Sequence, residues 1–408
     1  MTMCRPVGWL FAGLLFSLVP AGSAHANTLA AALEQAWLRH PQARSIDAHA
    51  AEAEARGEVA ADLTPGPASL ALGHVNDVLT GNRGKREWEI ELSAPLWLPA
   101  QKTARRDEAA AAVAGVAARR AALHLVLAGE VREAWWNLAA ARNTRDLTGR
   151  RLTTARALEA VVLRRFRAGD LSRIDANLAQ GERLAAEAET SEAEIALQAA
   201  EQAWRKLTGM AAPASIDAET PVLPTNTHQE PAADHPRLAA LSAAARTTQA
   251  RLKVVETTRR EAPELALRLV RERGDAAEAY GNVLGVQFKL PFSSGPRVRA
   301  DHAAARAELA EADAELELAR QRLGLDLEKA RLDLAATERQ LAGAVERQRL
   351  SADNLRLTEK AFALGESDLA TLLRIRAAAL EADALLGARR VAFGAAVSRF
   401  NQILGVLP

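Results

Sequence analysis

Three carboxylates, Glu87, Glu89 and Glu91, stand at every second position and alternate with Trp88, Ile90 and Leu92. In an extended strand this spacing puts the acids on one face and the apolar residues on the other. Stacked carboxylates attract cations, and rings of them favour cations where they line a pore. Arg268 and Lys289, in a second alternating stretch, offset part of that charge. Catalytic chemistry has no comparable signal. The chain contains no G-x-S-x-G, H-E-x-x-H or C-x-x-C. His40, His49, His74, His124, His228, His235 and His302 form no ligand-spaced cluster. The sequence therefore predicts no enzyme, no metal site and no cofactor.

The elements that must position these charges are strands. The first alternation runs from Trp88 through Ile90, Leu92 and Ala94 to Leu96, and the second from Leu284 through Val286, Phe288 and Leu290 to Phe292. Weaker partners precede each, Leu70 and Leu72 in one case, Leu265, Leu267 and Leu269 in the other. Thr80-Gly81-Asn82-Arg83-Gly84 and Arg273-Gly274-Asp275 are turn sequences. Two β-hairpins, 68–97 and 264–292, follow, with strands about ten residues long, enough to cross a tilted path through a bilayer. Four strands cannot close a membrane barrel alone, whereas three copies would supply twelve. A soluble helical rod capped by two amphipathic hairpins would show the same alternation.

Most of the chain is helical and written twice. Phe166 and Gly169 return as Phe362 and Gly365, an offset of 196, and Pro95 returns as Pro291. His40-Pro41 returns as His235-Pro236. Such a period means two copies of one structural unit. The stretches 101–165 and 297–362 lack proline, and helices of that length extend on the order of 100 Å. Leu309, Leu316, Leu323, Leu327, Leu334 and Leu341 follow heptads with one step of four, a coiled-coil pattern with a local unwinding. Gly169 and Gly365 supply turns, so each copy carries an antiparallel helical hairpin. The expected organisation is a first repeat over 27–212 (short helix, β-hairpin, helical hairpin 100–209), a Pro/Thr/Asn-rich linker over 213–234, and a second repeat over 235–408 with helical hairpin 297–405.

Ahead of the repeats, Arg5, the apolar run from Val7 to Val19 and Ala24-His25-Ala26 read as a secretory signal peptide, 1–26. Cys4 falls within it, so the exported chain is expected to be cysteine-free and unlipidated. A net charge of +1 with 25% charged residues argues against a nucleic-acid partner. No run after the leader is expected to form a membrane helix. Any crossing of a membrane falls to the strands.

The chain resembles the TolC family of outer-membrane efflux channels over nearly its whole mature length. The resemblance rests on Thr28-Leu29 through His40-Pro41-Gln42, on Glu91-Leu92-Ser93-Ala94-Pro95-Leu96, on the turn from Arg165 to Asp175, and on Gly365-Glu366-Ser367-Asp368-Leu369. It implies a mainly α fold with a small transmembrane β part, a homotrimer with a 12-stranded β-barrel in outer-membrane lipid and an α-barrel tunnel in the periplasm. It also implies a periplasmic adaptor (membrane fusion) protein and an inner-membrane pump of the RND class as partners, most like the heavy-metal subgroup. The adaptor-docking tips would be Phe166, Gly169, Asp170, Phe362, Gly365 and Glu366. A periplasmic gate would draw on Asp175, Asp368, Thr371 and Arg374, mixed in charge where the family is acidic, and Glu87, Glu89, Glu91, Arg268 and Lys289 would line the barrel. A non-conducting periplasmic adaptor or scaffold is the alternative reading.

Overall fold

The computed structural model describes residues 28–222, 234–292 and 295–408; the expected leader and positions 223–233 of the expected linker lie outside the described residues. In chain order the elements are α1 (Leu29–Arg39), α2 (Pro41–Ala61), β1 (Ser69–Asn76), β2 (Arg86–Pro95), α3 (Gln101–Arg167) and α4 (Arg173–Thr208), then α5 (Pro236–Thr257), β3 (Glu264–Arg273), β4 (Gly281–Lys289), α6 (Gly295–Ala363) and α7 (Leu369–Ile403). The fold is mainly α with one small sheet. Proline sets two of the helix starts: Pro41 and Pro236 each occupy the first turn, behind His40 and His235 in non-helical conformations.

The helical hairpins are unequal. With 67 residues α3 is about 100 Å long, whereas the 36 residues of α4 span about 54 Å. The tip half of α3 packs on α4, and α2 and α5 also lie along α3. In the second copy α7 and α5 divide α6 in the same way. Contrary to the expectation that no later run suits a membrane helix, α3 contains an 18-residue stretch that passes by composition. Its apolarity comes largely from alanines, which allow close helix packing, and only 22% of the stretch is buried within one chain.

All four strands form one antiparallel sheet in the order β1-β2-β3-β4, so the β2–β3 pair joins the two copies. Leu70, Leu92, Leu267 and Val286 lie in one row across it, and Leu72, Ile90, Leu269 and Leu284 in the next. All eight are exposed. β4 ends at Lys289, so Leu290 and Phe292 of the expected alternation lie beyond it.

The densest core sits where α1, α3 and α4 meet, around Trp135, Trp204, Leu33, Leu127 and Val131. Both buried indoles donate to carbonyls of the irregular segment after α4, Trp135 to Asp217 (3.1 Å) and Trp204 to Ala211 (3.2 Å). Each ring thus satisfies its one polar atom while filling the core. The crossing of α3 and α7 requires a glycine. A Cβ at Gly394 would stand 2.0 Å from Cη2 of Trp136, whose Nε1 donates to Ser398 (2.8 Å). Gly394→Ala should therefore lower the denaturation midpoint by the equivalent of about 1–3 kcal/mol, the range for an overpacked core. Gly343→Ala, at a site with nothing within 4 Å, is the control expected to shift it little.

Candidate functional site

Two regions bear on function, the sheet wall and the helical tips. On the wall, alternation places Glu87, Glu89 and Glu91 on the face opposite the apolar rows. Arg268, across from Glu91, reaches Glu89, with Nη2 2.8 Å from Oε2, and lies 3.9 Å from Glu87. Lys289 approaches Glu264 instead (3.7 Å). Small residues make room for these long side chains: Gly73 is opposite Glu89, Ala71 opposite Glu91 and Gly285 opposite Arg268. The register adds Glu264 and Glu272 to the same face, which the alternation of β2 alone did not disclose. The face holds five carboxylates against two bases, so its charge remains negative after Arg268 and Lys289 are counted.

At the other end the two hairpin turns are built alike. Gly169 and Gly365 adopt φ of +86° and +79°, where a side chain would be strained. The N–H of Asp170 closes on the carbonyl of Arg165, and that of Glu366 on Ala361, both at 2.9 Å. These are Schellman closures of α3 and α6. The following helices start with matched caps. Ser172 and Asp175 form a reciprocal capping box, and Asp368 accepts the Thr371 N–H at 2.6 Å. That hydrogen bond, reinforced by the Thr371 hydroxyl, holds the Asp368 carboxyl below its ordinary range.

The sequence-predicted gate residues thus have local partners: Asp175 and Asp368 cap helices, and Thr371 supplies a capped N–H. Arg374 is exposed on α7, and Asp170 and Glu366 are exposed in the turns. Phe166 and Phe362, equivalent by repeat, differ in burial. Phe362 is 7% exposed, packed with Leu158, Val162, Ala179, Leu369 and Leu372 in a cluster that ties the two tips together. The Arg165 guanidinium lies over its ring at 5.1 Å. A ring so enclosed offers no free contact to a partner, which corrects the expectation for Phe362. Phe166 remains 37% exposed.

The tips also differ in charge. Arg164, Arg167 and Arg173 are exposed and, among the described residues, have no carboxylate within 4 Å. Glu366 and Asp368 dominate the second tip, with Lys360 as the base in the last turn of α6. Higher up, arginines of the same hairpin are paired: Arg151 with Glu182 (3.0 Å), Arg156 with Glu187 (3.0 Å) and Arg183 with Glu159 (2.9 Å). The sequence reading did not single out the arginines.

Apolar stripes remain uncovered on the helices. Leu318, Leu325, Leu332, Leu350 and Leu357 are all exposed on α6, as is Leu364 just past its end. They run beside the inward stripe containing Leu323, Leu327 and Phe362. On α4, Ile174, Leu178 and Ile195 are likewise exposed.

No protein-family model and no curated protein matches the chain in sequence. Solved structures match it closely in shape. The CmeC outer membrane channel of Campylobacter jejuni superposes with a TM-score of 0.74 at 14% identity, over 92% of this chain and 85% of that one. CusC, whose structures describe transmembrane channel formation, gives 0.78 at 14% identity, over 94% and 93%. The open state of the Neisseria gonorrhoeae MtrE outer membrane channel gives 0.74 at 17%, over 93% and 89%. The sheet with its exposed apolar rows, the paired long hairpins and these superpositions together lead to one conclusion: this chain has the fold of the outer-membrane channels.

Proposed function

We propose that the protein is the outer-membrane channel of a tripartite efflux system, a passive trimeric conduit whose helices extend into the periplasm. The observation that carries this reading is the four-stranded sheet with one exposed apolar face, one acidic face and two free edges. In lipid, unpaired edge N–H and C=O groups are too costly to persist. Because the sheet has an even number of alternating strands, β1 of one copy can pair antiparallel with β4 of the next, and three copies close a 12-stranded barrel. The uncovered leucine stripe of α6 and the mostly uncovered apolar stretch of α3 support contacts between protomers along the tunnel.

The chain's energy source would be external: an inner-membrane pump, of the RND class on the family resemblance, coupled through a periplasmic adaptor at the tips. Metal cations are the proposed cargo, supported by that resemblance and by the acidic wall. Among the described residues no group of three or more His, Cys, Asp or Glu is placed to hold a metal ion. Such a conduit passes its cargo without a dedicated binding site.

The test is fractionation followed by planar-bilayer conductance of the purified protein. An outer-membrane trimer with long-lived channels supports the reading, while a soluble, non-conducting periplasmic species would replace it with a scaffold. In a salt gradient the reversal potential should show cation preference. Arg268→Gln should increase that preference, and Glu87→Gln with Glu91→Gln should reduce it. Equal passage of anions through the unmodified channel would defeat the assignment of the acidic face to the lumen.

A further inference from the structure

The apolar rows end abruptly toward the β1–β2 and β3–β4 loops. On the same outward face the next rows bring Trp88 opposite Arg271 and Arg86 opposite Arg273. Like charges directly across an antiparallel pair destabilise it. No carboxylate among the described residues relieves these guanidiniums within ion-pair distance. Glu87 and Glu272, the intervening residues, point to the other face. The loop acids are occupied by backbone: Asp77 accepts from the N–H groups of Arg83 (2.7 Å) and Gly84 (3.2 Å), Asp275 from Ala277 and Glu278, and Glu278 from Gly274.

Two of the arginines, Arg271 and Arg273, are nonetheless held in place. The Tyr280 ring lies 4.9 Å from Cζ of Arg271 and 5.0 Å from Cζ of Arg273. Arg273 Nε donates to the Gly84 carbonyl at 3.2 Å, leaving its terminal nitrogens uncommitted by that bond. The two loops are docked to each other, since the Ala276 N–H donates to Arg83 O at 3.0 Å. Gly84, at φ +96°, permits this approach, as a Cβ there would sit 2.7 Å from the Ala276 nitrogen. At the opposite end of the sheet the outward row contains Ala94, Leu265 and Phe288 and no base.

From this arrangement we infer that Arg86, Arg271 and Arg273 form a binding site for the phosphate of a membrane lipid headgroup, on the outer rim of the barrel wall. The inference rests on the proposed membrane placement of the sheet. Guanidinium forks match phosphate oxygens bidentately. The adjoining apolar rows would lie along the acyl chains, and Trp88 and Tyr280 sit at the level where amphipathic aromatics meet the interface. A phosphate there neutralises the facing arginines that the sheet itself leaves opposed. Three copies would carry a belt of such sites around the loop end and none around the helix end.

The experiment uses the full-length protein in nanodiscs of phosphatidylcholine doped with phosphatidate, with retained phosphatidate counted by native mass spectrometry. The unmodified protein should retain phosphatidate over phosphatidylcholine of the same chain length, and inorganic phosphate should not displace it. R86Q/R271Q/R273Q should weaken retention on the order of 100-fold, given about 1 kcal/mol per basic residue near a lipid surface. R86K/R271K/R273K should recover part of it, and R320Q/R349Q/R356Q, which removes equal charge from α6, should retain the unmodified behaviour. Equal retention of the two lipids by the unmodified protein, or undiminished retention by the glutamine variant, would overturn the proposal and leave the channel reading intact. Displacement by inorganic phosphate would reassign the site to a free anion. A protein that does not enter the nanodisc bilayer would overturn the membrane placement and the lipid site together.

Discussion

Glu219→Ala should destabilise the protein by about 3–5 kcal/mol, the range for removing one partner of a buried ion pair. Arg132 is only 3% exposed on α3, and its guanidinium forks onto Glu219 with contacts of 2.7 and 3.0 Å. A further contact of 2.5 Å reaches Gln402 of α7. Glu219 belongs to the irregular segment after α4. Asn401 also holds that segment, donating to Thr220 O and accepting from Val222 N, both at 3.0 Å. Without Glu219 the arginine keeps its charge in a site that water cannot reach well. Urea denaturation in detergent should show the loss directly. Glu219→Gln, which preserves one hydrogen bond, should cost less, and pairing Glu219→Leu with Arg132→Met should restore most of the stability. A loss below about 1 kcal/mol for Glu219→Ala would mean that Asn401 and the two indole hydrogen bonds hold the segment without the ion pair.

On the proposed docking of an adaptor at the tips, reversing the charge of the first tip, with Arg164, Arg167 and Arg173 all changed to Glu, should weaken adaptor binding about 100-fold or more while single-channel conductance persists. The helix dipole accounts for arginines in the last turn of α3, but it opposes Arg173 at the start of α4. The equivalent turn of α6 has Lys360 as its base, so the shared geometry does not demand the cluster. Exposed, unpaired among the described residues and beside Phe166 and Ile174, these arginines suit the proposed adaptor if its hairpin presents acidic side chains, and like-charge contacts across an interface cost several kcal/mol. Affinity for the proposed adaptor should fall with ionic strength in the unmodified protein, and in the variant that dependence should reverse, because salt screens the new repulsion. Adaptor binding that survives reversal at both low and high salt would show that the first tip is not the docking surface. Loss of conductance as well would indicate instead that the tips had failed to fold.

Periodicity is a local property, which explains what could be read from the chain alone. The period of two in β2 and the long proline-free stretches fix strand and helix, and the step of seven with one step of four in α6 identifies its inward stripe. Gly169 and Gly365 mark the turns because only their backbone conformation, not a distant contact, is needed there. The acidic face of β2 follows from the same alternation. Pairing between elements is not local. That β2 joins β3, bringing Arg268 to Glu89 and Arg86 to Arg273, depends on how two copies meet across the sheet, and neither strand contains that register by itself. The burial of Phe362 beside an exposed Phe166 arises because the two tips pack asymmetrically, although the repeat makes the residues equivalent in sequence. Gly394 and Arg132 likewise acquire their roles only where α7 crosses α3. The sequence by itself determined the elements and their faces, since backbone geometry ties side-chain direction to spacing; the tertiary structure decided which charges are paired and which remain free, since Coulomb and packing energies depend on distances that the chain order does not contain.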